Sequence, residues 1–310
     1  MKKLIAALIL LASPAIAQDR MTPEHCAQSQ IALFLLIDLQ AEFDESTVDD
    51  EGWCHISDLV VSLDNTSGVR IGTLRWRASD IARFIDDGLP PRALDIEGTA
   101  LAALARTGDD VFDYLLALQM NQSKMSFGAS LRWDGVQQIV NLNSAFFEFD
   151  EGNRIEASAR IEGANLTDMA TIQMSAGNAG LRNVMVKAQF DGWFETYVAM
   201  TLGTMLLSSR DATPQAQVAE LKRKGAEILN TFPTDILPDP SRDALIALMN
   251  SLPTPRGTFQ AQLSADPAIG AVRAARIATL APDAPVSEII ETSFDGVTAL
   301  FTWAPTETPQ

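Results

Sequence analysis

The stretch that decides the fold runs Met125-Ser-Phe-Gly-Ala-Ser-Leu-Arg-Trp133, then Asp134-Gly135, then Gln138-Ile-Val-Asn-Leu-Asn-Ser-Ala-Phe-Phe-Glu-Phe149. Two β-rich runs around an Asp-Gly turn are typical of a β-hairpin. The turn Glu151-Gly152-Asn153 then leads into Arg154–Glu162, where apolar and polar residues alternate strictly. Alternation sends each set of side chains to one face of a strand. The stretch therefore predicts consecutive antiparallel strands with one apolar face.

Strand and helix signals outside this stretch extend the same plan. Further strands are predicted at Cys54–Leu63, Val69–Arg77, Ala93–Thr99, Leu181–Phe190, Gly257–Ser264 and Val297–Trp303. Helices are predicted at Pro23–Phe43, Thr107–Asn121, Trp193–Leu207, Pro214–Phe232, Ser241–Leu252 (with Ser241 as its cap) and Pro267–Leu280, and a solvated loop at Glu42–Glu51. The prediction is an α+β fold: a long, curved antiparallel sheet built of hairpins, with helices packed on one face.

The domain prediction places a soft boundary near residue 210, where the composition changes. Residues 1–17 are assigned to a signal peptide and residues 18–210 to a domain of helix plus antiparallel sheet. Residues 211–310 are assigned to a helical segment with closing strands. A single domain spanning both of these parts is the alternative, since the length allows either.

The first 17 residues carry the pattern of a secretory signal. Lys2 and Lys3 precede the apolar run Leu4–Ala12, and small residues lead up to Ala17. This order is typical of a signal peptide, which we expect to be cleaved after Ala17. The next residue is Gln18 rather than cysteine, so no lipid anchor is expected there. No later apolar run reaches the roughly 18 residues of a membrane span. The sequence therefore predicts a soluble protein exported to the periplasm.

The charge of the chain excludes one large class of partners. Its formal net charge is −17, with 40 acidic and 23 basic residues. Nucleic acid binding needs a basic face that displaces counterions, so we expect none. Anionic lipid headgroups are repelled for the same reason. The one tight basic group, Lys222-Arg223-Lys224, is interpreted as a solvated helix face.

The two cysteines, Cys26 and Cys54, both lie in the exported part of the chain. An even number of cysteines in an oxidising compartment predicts a disulfide. The only histidines, His25 and His55, each adjoin one of these cysteines, so a Cys₂His₂ zinc site and free thiols are alternatives. Adjacent residues point in different directions on a helix or strand, which disfavours the metal site.

The sequence contains none of the common catalytic motifs. A Gly-x-Ser-x-Gly elbow, a His-Glu-x-x-His helix and a phosphate-binding glycine loop are all missing. A serine or cysteine relay would need His25 or His55 as its base. Carboxylate chemistry stays open, because 40 acidic residues form many pairs whose spacing a sequence does not show. No catalytic residue, metal ligand or cofactor is assigned.

Three segments carry a resemblance to a known group of proteins. They are Arg154–Asp168, Leu181–Gly192 and Gly257–Asp266. These strands resemble those of uncharacterised Gram-negative envelope proteins that are AsmA-like or YdgA-like. The resemblance implies a curved sheet with an apolar concave face, used to hold or pass lipid-like molecules. We expect no transmembrane anchor of the kind that is typical of AsmA-like proteins in this chain.

The leading functional expectation is therefore a non-enzymatic periplasmic protein that binds an apolar or lipid-like ligand or supports envelope assembly. An interaction scaffold, whose acidic surface selects basic or envelope proteins, is the first alternative. An unrecognised carboxylate-based hydrolase is the second.

Overall fold

The computed structural model describes residues 20–37, 40–64, 66–105, 107–120, 125–150, 152–207, 212–279 and 285–306. The predicted signal peptide and its cleavage site lie outside these residues. The described strands form one 11-stranded, open and curved antiparallel sheet, which confirms the predicted α+β class. None of the described helices is both long enough and apolar enough to cross a membrane.

Strands dominate the described chain up to Asp191, and helices dominate the part after it. The strands are β1 (Gln40–Glu42), β2 (Glu45–Val48), β3 (Cys54–Ser62), β4 (Ser67–Ser79), β5 (Ala93–Ala105), β6 (Ser126–Asp134), β7 (Ile139–Asp150), β8 (Asn153–Glu162), β9 (Gly180–Asp191), β10 (Arg256–Gly270) and β11 (Val297–Pro305). The helices are α1 (Pro23–Ile37), α2 (Ala82–Asp87), α3 (Asp110–Met120), α4 (Met169–Ala176), a π-helix (Phe194–Val198), α5 (Ala199–Leu206), α6 (Pro214–Leu229), α7 (Asp239–Ser251), α8 (Ala271–Ala278) and α9 (Val286–Phe294).

Strands β3 to β11 lie side by side in sequence order, each antiparallel to the next. The predicted hairpin is β6–β7, whose connection contains Gly135. Successive connections alternate between the two ends of the sheet. We call the end that carries α3 and the β7–β8 and β9–β10 connections the aromatic end, for the rings described below.

The register gives the sheet one apolar and one polar face. One row of directly paired residues crosses nine strands on the apolar face and contains Cys54, Trp76, Ile96, Ala129, Ala145, Ala157, Val186, Ala261 and Phe301. The adjacent row on the polar face contains His55, Arg75, Glu97, Gly128, Phe146, Glu156, Lys187, Gln260 and Thr302. Because side chains alternate along a strand, this division holds across most of the sheet.

The buried core lies on the apolar face of β3 and β4. Ile56, Leu74 and Trp76 form one cluster with Met21 of the N-terminal segment and with Ile81 beside α2. Helix α1 contacts both α2 and β2. Burial of these large side chains is the main stabilisation of this margin of the sheet.

At the opposite margin of the sheet, the outer edge of β11 forms hydrogen bonds with the helical part of the chain. The backbone N–H of Ala299 donates to the carbonyl of Ile236 at 2.8 Å, and that of Phe301 donates to Oγ of Ser241 at 3.0 Å. The sequence-based prediction that Ser241 caps α7 is therefore wrong. The residue at the N-cap of α7 is Pro238. Satisfying outward N–H groups protects an edge strand from pairing with other chains.

Three predicted segments differ from the structure. Helix α1 ends at Ile37, and the predicted loop Glu42–Glu51 includes β2, which pairs with β3. The helix predicted at Pro267–Leu280 starts later than expected. Strand β10 runs to Gly270, and the helix α8 begins after it. A register shift between Ser264 and Ile269 accommodates Pro267, since proline lacks the N–H that a regular ladder requires.

The sheet continues past the predicted boundary near residue 210. Strand β10 pairs with β9 over almost its whole length, so the strands on both sides of this position share one sheet. The described chain between these two strands, residues 192–207 and 212–255, is mainly helical and contains the π-helix, α5, α6 and α7.

Candidate functional site

The apolar face is covered unevenly along its central row. Cys54 and Trp76 in this row are 0% and 9% exposed, whereas Ala129, Ala145 and Ala157 are only half-buried. The described helices that pack on the sheet contact mainly β2, β5, β10 and β11. The apolar face of β6 to β9 is therefore partly open to solvent, although its side chains are those of a core.

Aromatic rings enclose this open area at one end of the sheet. The aromatic cluster consists of Phe147, Phe149, Phe190, Trp193, Tyr197 and Trp303. Phe149 lies at its centre, because its ring stacks on Trp193 and on Tyr197 with centroids 5.1 Å apart in each case. Stacked rings bury a large apolar area while leaving edges available for contact with a ligand.

The π-helix joins the aromatic cluster to a cleft between helices. Trp193 and Tyr197 belong to the cluster, whereas Phe194 lines the cleft. Arg256 holds this segment in place, since its Nη1 lies 2.5 Å from Oε1 of Glu195. Isolated π-helical turns within helices occur frequently at functional sites.

The helical cleft has a volume of about 360 Å³ and lies between α5, α6 and α7. The described residues that line it are Phe194, Ala199, Leu202, Gly203, Leu206, Leu207, Val218, Leu221, Lys222, Met249, Leu252 and Pro253. Its volume lies within the range of small-molecule sites, which are mostly apolar with a few placed polar groups. Lys222 is the only charged residue among those described at its lining.

Lys222 departs from its sequence interpretation as part of a solvated helix face. Its ammonium donates to the carbonyls of Asn250 and Leu252, at 2.9 and 2.7 Å. The other two residues of that basic group remain on the exposed side, where Arg223 and Lys224 pair with Glu220. The spacing from Val218 to Lys222 could have revealed this, since residues four apart share a helix face.

The polar face is crossed by ion pairs between strands. Asp95 on β5 accepts from Arg77 on β4 and from Arg132 on β6, at 3.0 and 2.7 Å. Burial disfavours the charged form of Asp95, but hydrogen bonds from Arg132, Ser130 and Arg77 outweigh it and lower its pKa to about 2. Because these groups are already paired, this part of the polar face is structural.

The predicted cysteine pair is joined in the structure. Cys26 and Cys54 form a disulfide that links α1 to β3, with 5.5 Å between their Cα atoms. The amide of Gln30 donates to both sulfurs, at 3.4 and 3.6 Å. This bond removes the thiolates that a zinc site or a cysteine nucleophile would require.

The histidines do not form a site with this pair. His55 Nε2 lies 2.8 Å from Oδ2 of Asp49, and the hydrogen bond from His55 lowers the pKa of that carboxyl group. Within the described ranges, no three histidine, cysteine or acidic side chains form a group that could hold a metal ion. No protein-family model and no curated protein matches this chain.

Proposed function

We propose that this chain is an exported, non-enzymatic protein that binds an apolar, lipid-like ligand on the open apolar face of its sheet. The observation that carries this proposal is the burial along the central row, which is nearly complete at Trp76 and partial from Ala129 to Ala157. Contiguous exposed apolar surface on a soluble domain often marks a binding site.

The shape of the face favours an elongated ligand. The central row offers alanine at β6, β7 and β8, and the neighbouring row towards the aromatic end offers Phe147, Ile155 and Phe259. The small side chains leave a shallow groove, and the large side chains of the neighbouring row border it. A hydrocarbon chain lying across the strands would contact both.

Export to the periplasm is part of the proposal. Its support is the signal pattern that ends at Ala17 and the disulfide between Cys26 and Cys54, since disulfides persist in oxidising compartments. The AsmA-like or YdgA-like resemblance of the strands supports an envelope location.

The test uses one strand and two adjacent substitutions. Ala157→Glu places a carboxylate on the apolar face, whereas Ser158→Glu places the same group on the polar face of β8. Both residues are half-buried, so the two variants are matched in position and charge. The full chain is purified from the periplasm and examined by native mass spectrometry, with circular dichroism to check folding.

We expect adducts of lipid mass on the unaltered protein and on Ser158→Glu, and a loss of these adducts from Ala157→Glu. A clean protein mass in all three samples, with no response to an apolar fluorescent probe, would contradict the proposal. Salt-sensitive capture of basic periplasmic proteins by the same clean sample would instead favour the acidic scaffold.

A further inference from the structure

We infer that the helical cleft is a binding site for a single-chain fatty acid, with its acyl chain between α5, α6 and α7 and its carboxylate on Lys222. The inference takes its ligand class from the proposed function, but it concerns a different surface from the sheet face. It rests on the cleft's lining, on the position of one ammonium group and on the space left by one glycine.

The lining of the cleft selects an apolar chain of limited size. Leu202 of α5, Leu221 of α6 and Leu252, which directly follows α7, line the cleft together with Met249. A volume of about 360 Å³ suits one chain better than the two chains of a phospholipid. Leu202 and Leu221 are 40% and 38% exposed, so the cleft is open to an entering ligand.

The ammonium of Lys222 selects the head group. Two of its three N–H groups donate to the carbonyls of Asn250 and Leu252, which end α7, and this leaves one donor for a ligand. The described ion pairs of this helix involve Arg223 and Lys224 and do not include Lys222. A carboxylate at the rim would supply the anionic partner while its chain enters the apolar interior.

Gly203 leaves room that a side chain can occupy. It lines the cleft, and a Cβ built on it meets only Leu207 Cδ1, at 4.0 Å. Leucine has a much higher helix propensity than glycine, so Gly203→Leu should keep α5 folded while it fills the cleft. This variant separates occupancy of the cleft from loss of structure.

The experiment is calorimetric titration of the delipidated full chain with laurate and, in parallel, with dodecanol, which has the same chain and no charge. Because the sheet face is itself proposed to bind apolar chains, every titration is made in the Ala157→Glu background, in which that face is blocked. In this background we expect Gly203→Leu to abolish binding of both ligands. Lys222→Met should weaken laurate about 10- to 100-fold, the value of one charge-assisted hydrogen bond, and leave dodecanol unchanged. Lys222→Arg should restore most of the laurate affinity.

Two controls distinguish this inference from the proposed function. Lys224→Met removes a charge from the exposed side of α6 and should leave both titrations unchanged. Ala157→Glu removes the sheet face as a second site and leaves the lining of the cleft intact. Laurate binding that survives Gly203→Leu, or equal losses of laurate and dodecanol in Lys222→Met, would overturn the inference. If Ala157→Glu binds no laurate while the unaltered protein keeps its lipid adducts, the cleft is excluded and the sheet-face proposal stands.

Discussion

Removal of the disulfide gives the sharpest test of how the N-terminal helix is held on the sheet. Cys26 and Cys54 are separated by 28 residues, and both are almost fully buried. On the chain-entropy model, closing a loop of this size stabilises the folded protein by about 3.5 kcal/mol. For a chain of this size, each kcal/mol moves the melting temperature by about 2–4 °C, which predicts a fall of about 7–14 °C on reduction.

Two ways of opening the bond separate its contributions. Reduction of the unaltered protein removes the cross-link but leaves two thiols near Gln30, whose buried amide donates to both sulfurs. The double variant Cys26→Ala, Cys54→Ala also removes these acceptors. Leaving a buried donor without a partner costs about 1 kcal/mol or more, so the alanine variant should be less stable than the reduced protein.

The measurement is urea denaturation followed by tryptophan fluorescence, which suits this region because Trp53 and Trp76 are buried near the bond. Oxidised, reduced and alanine-substituted proteins are compared in the same buffer, with free thiols counted in each. Identical urea midpoints for the oxidised and reduced samples would refute the reasoning, because a formed cross-link must restrict the unfolded chain.

Two further predictions concern other parts of the sheet. Asp95→Asn should lower the free energy of unfolding at neutral pH by about 1–2 kcal/mol. The unaltered protein should lose this contribution on acidification from about pH 4 to pH 2, and the variant should not. The reason is that the pKa of Asp95 is about 2 in the folded protein, below its value in the unfolded chain. Its stabilising effect is complete above the pKa of the unfolded chain and is lost as the pH falls through the pKa of the folded protein. An unchanged acid profile in Asp95→Asn would contradict this. Ser241→Ala should cost about 1–3 kcal/mol by leaving the N–H of Phe301 without its acceptor, and hydrogen exchange should accelerate at that amide. Equal exchange rates in both proteins would show that the contact does not protect the edge.

The sequence predicts the alternating strands well where the ladder is regular and less well where it is not. In β8, alternation alone places Ala157 and Ser158 on opposite faces, as observed. In β3 and β5, Asp58 and Ala100 have positive φ values of 56° and 53°. These irregularities reset the alternation, so that Leu59 shares a core with Ile56 three residues earlier. Local residue patterns do not encode such a reset, because it depends on pairing between distant strands.

The candidate site also has features that local sequence patterns predict and features that depend on contacts between distant residues. The apolar face follows from alternation, so the sequence predicts its existence. Its open area does not follow, since it depends on where α1 and α7 pack, and these contacts join residues far apart in the chain. The role of Lys222 is intermediate: its helix is predicted, but the carbonyls that receive its ammonium come from a different helix.

The choice of side chains on the open face bears on how a sheet can remain folded with or without a ligand. Apolar area that stays exposed in the folded protein lacks the stabilisation that burial would give, about 25 cal/mol per Å². Ala129, Ala145 and Ala157 expose little apolar area each, so an open central row of alanines leaves less stabilisation unrealised than a row of leucines would. The larger rings stand beside this row and stack on one another, as Phe149 does on Trp193. Such a face can remain stable without a ligand and still provides aromatic side chains for contact with a bound hydrocarbon chain. Replacing the central alanines by leucines should therefore fill the space that a ligand needs and increase the exposed apolar area, which would appear as lost lipid adducts together with self-association.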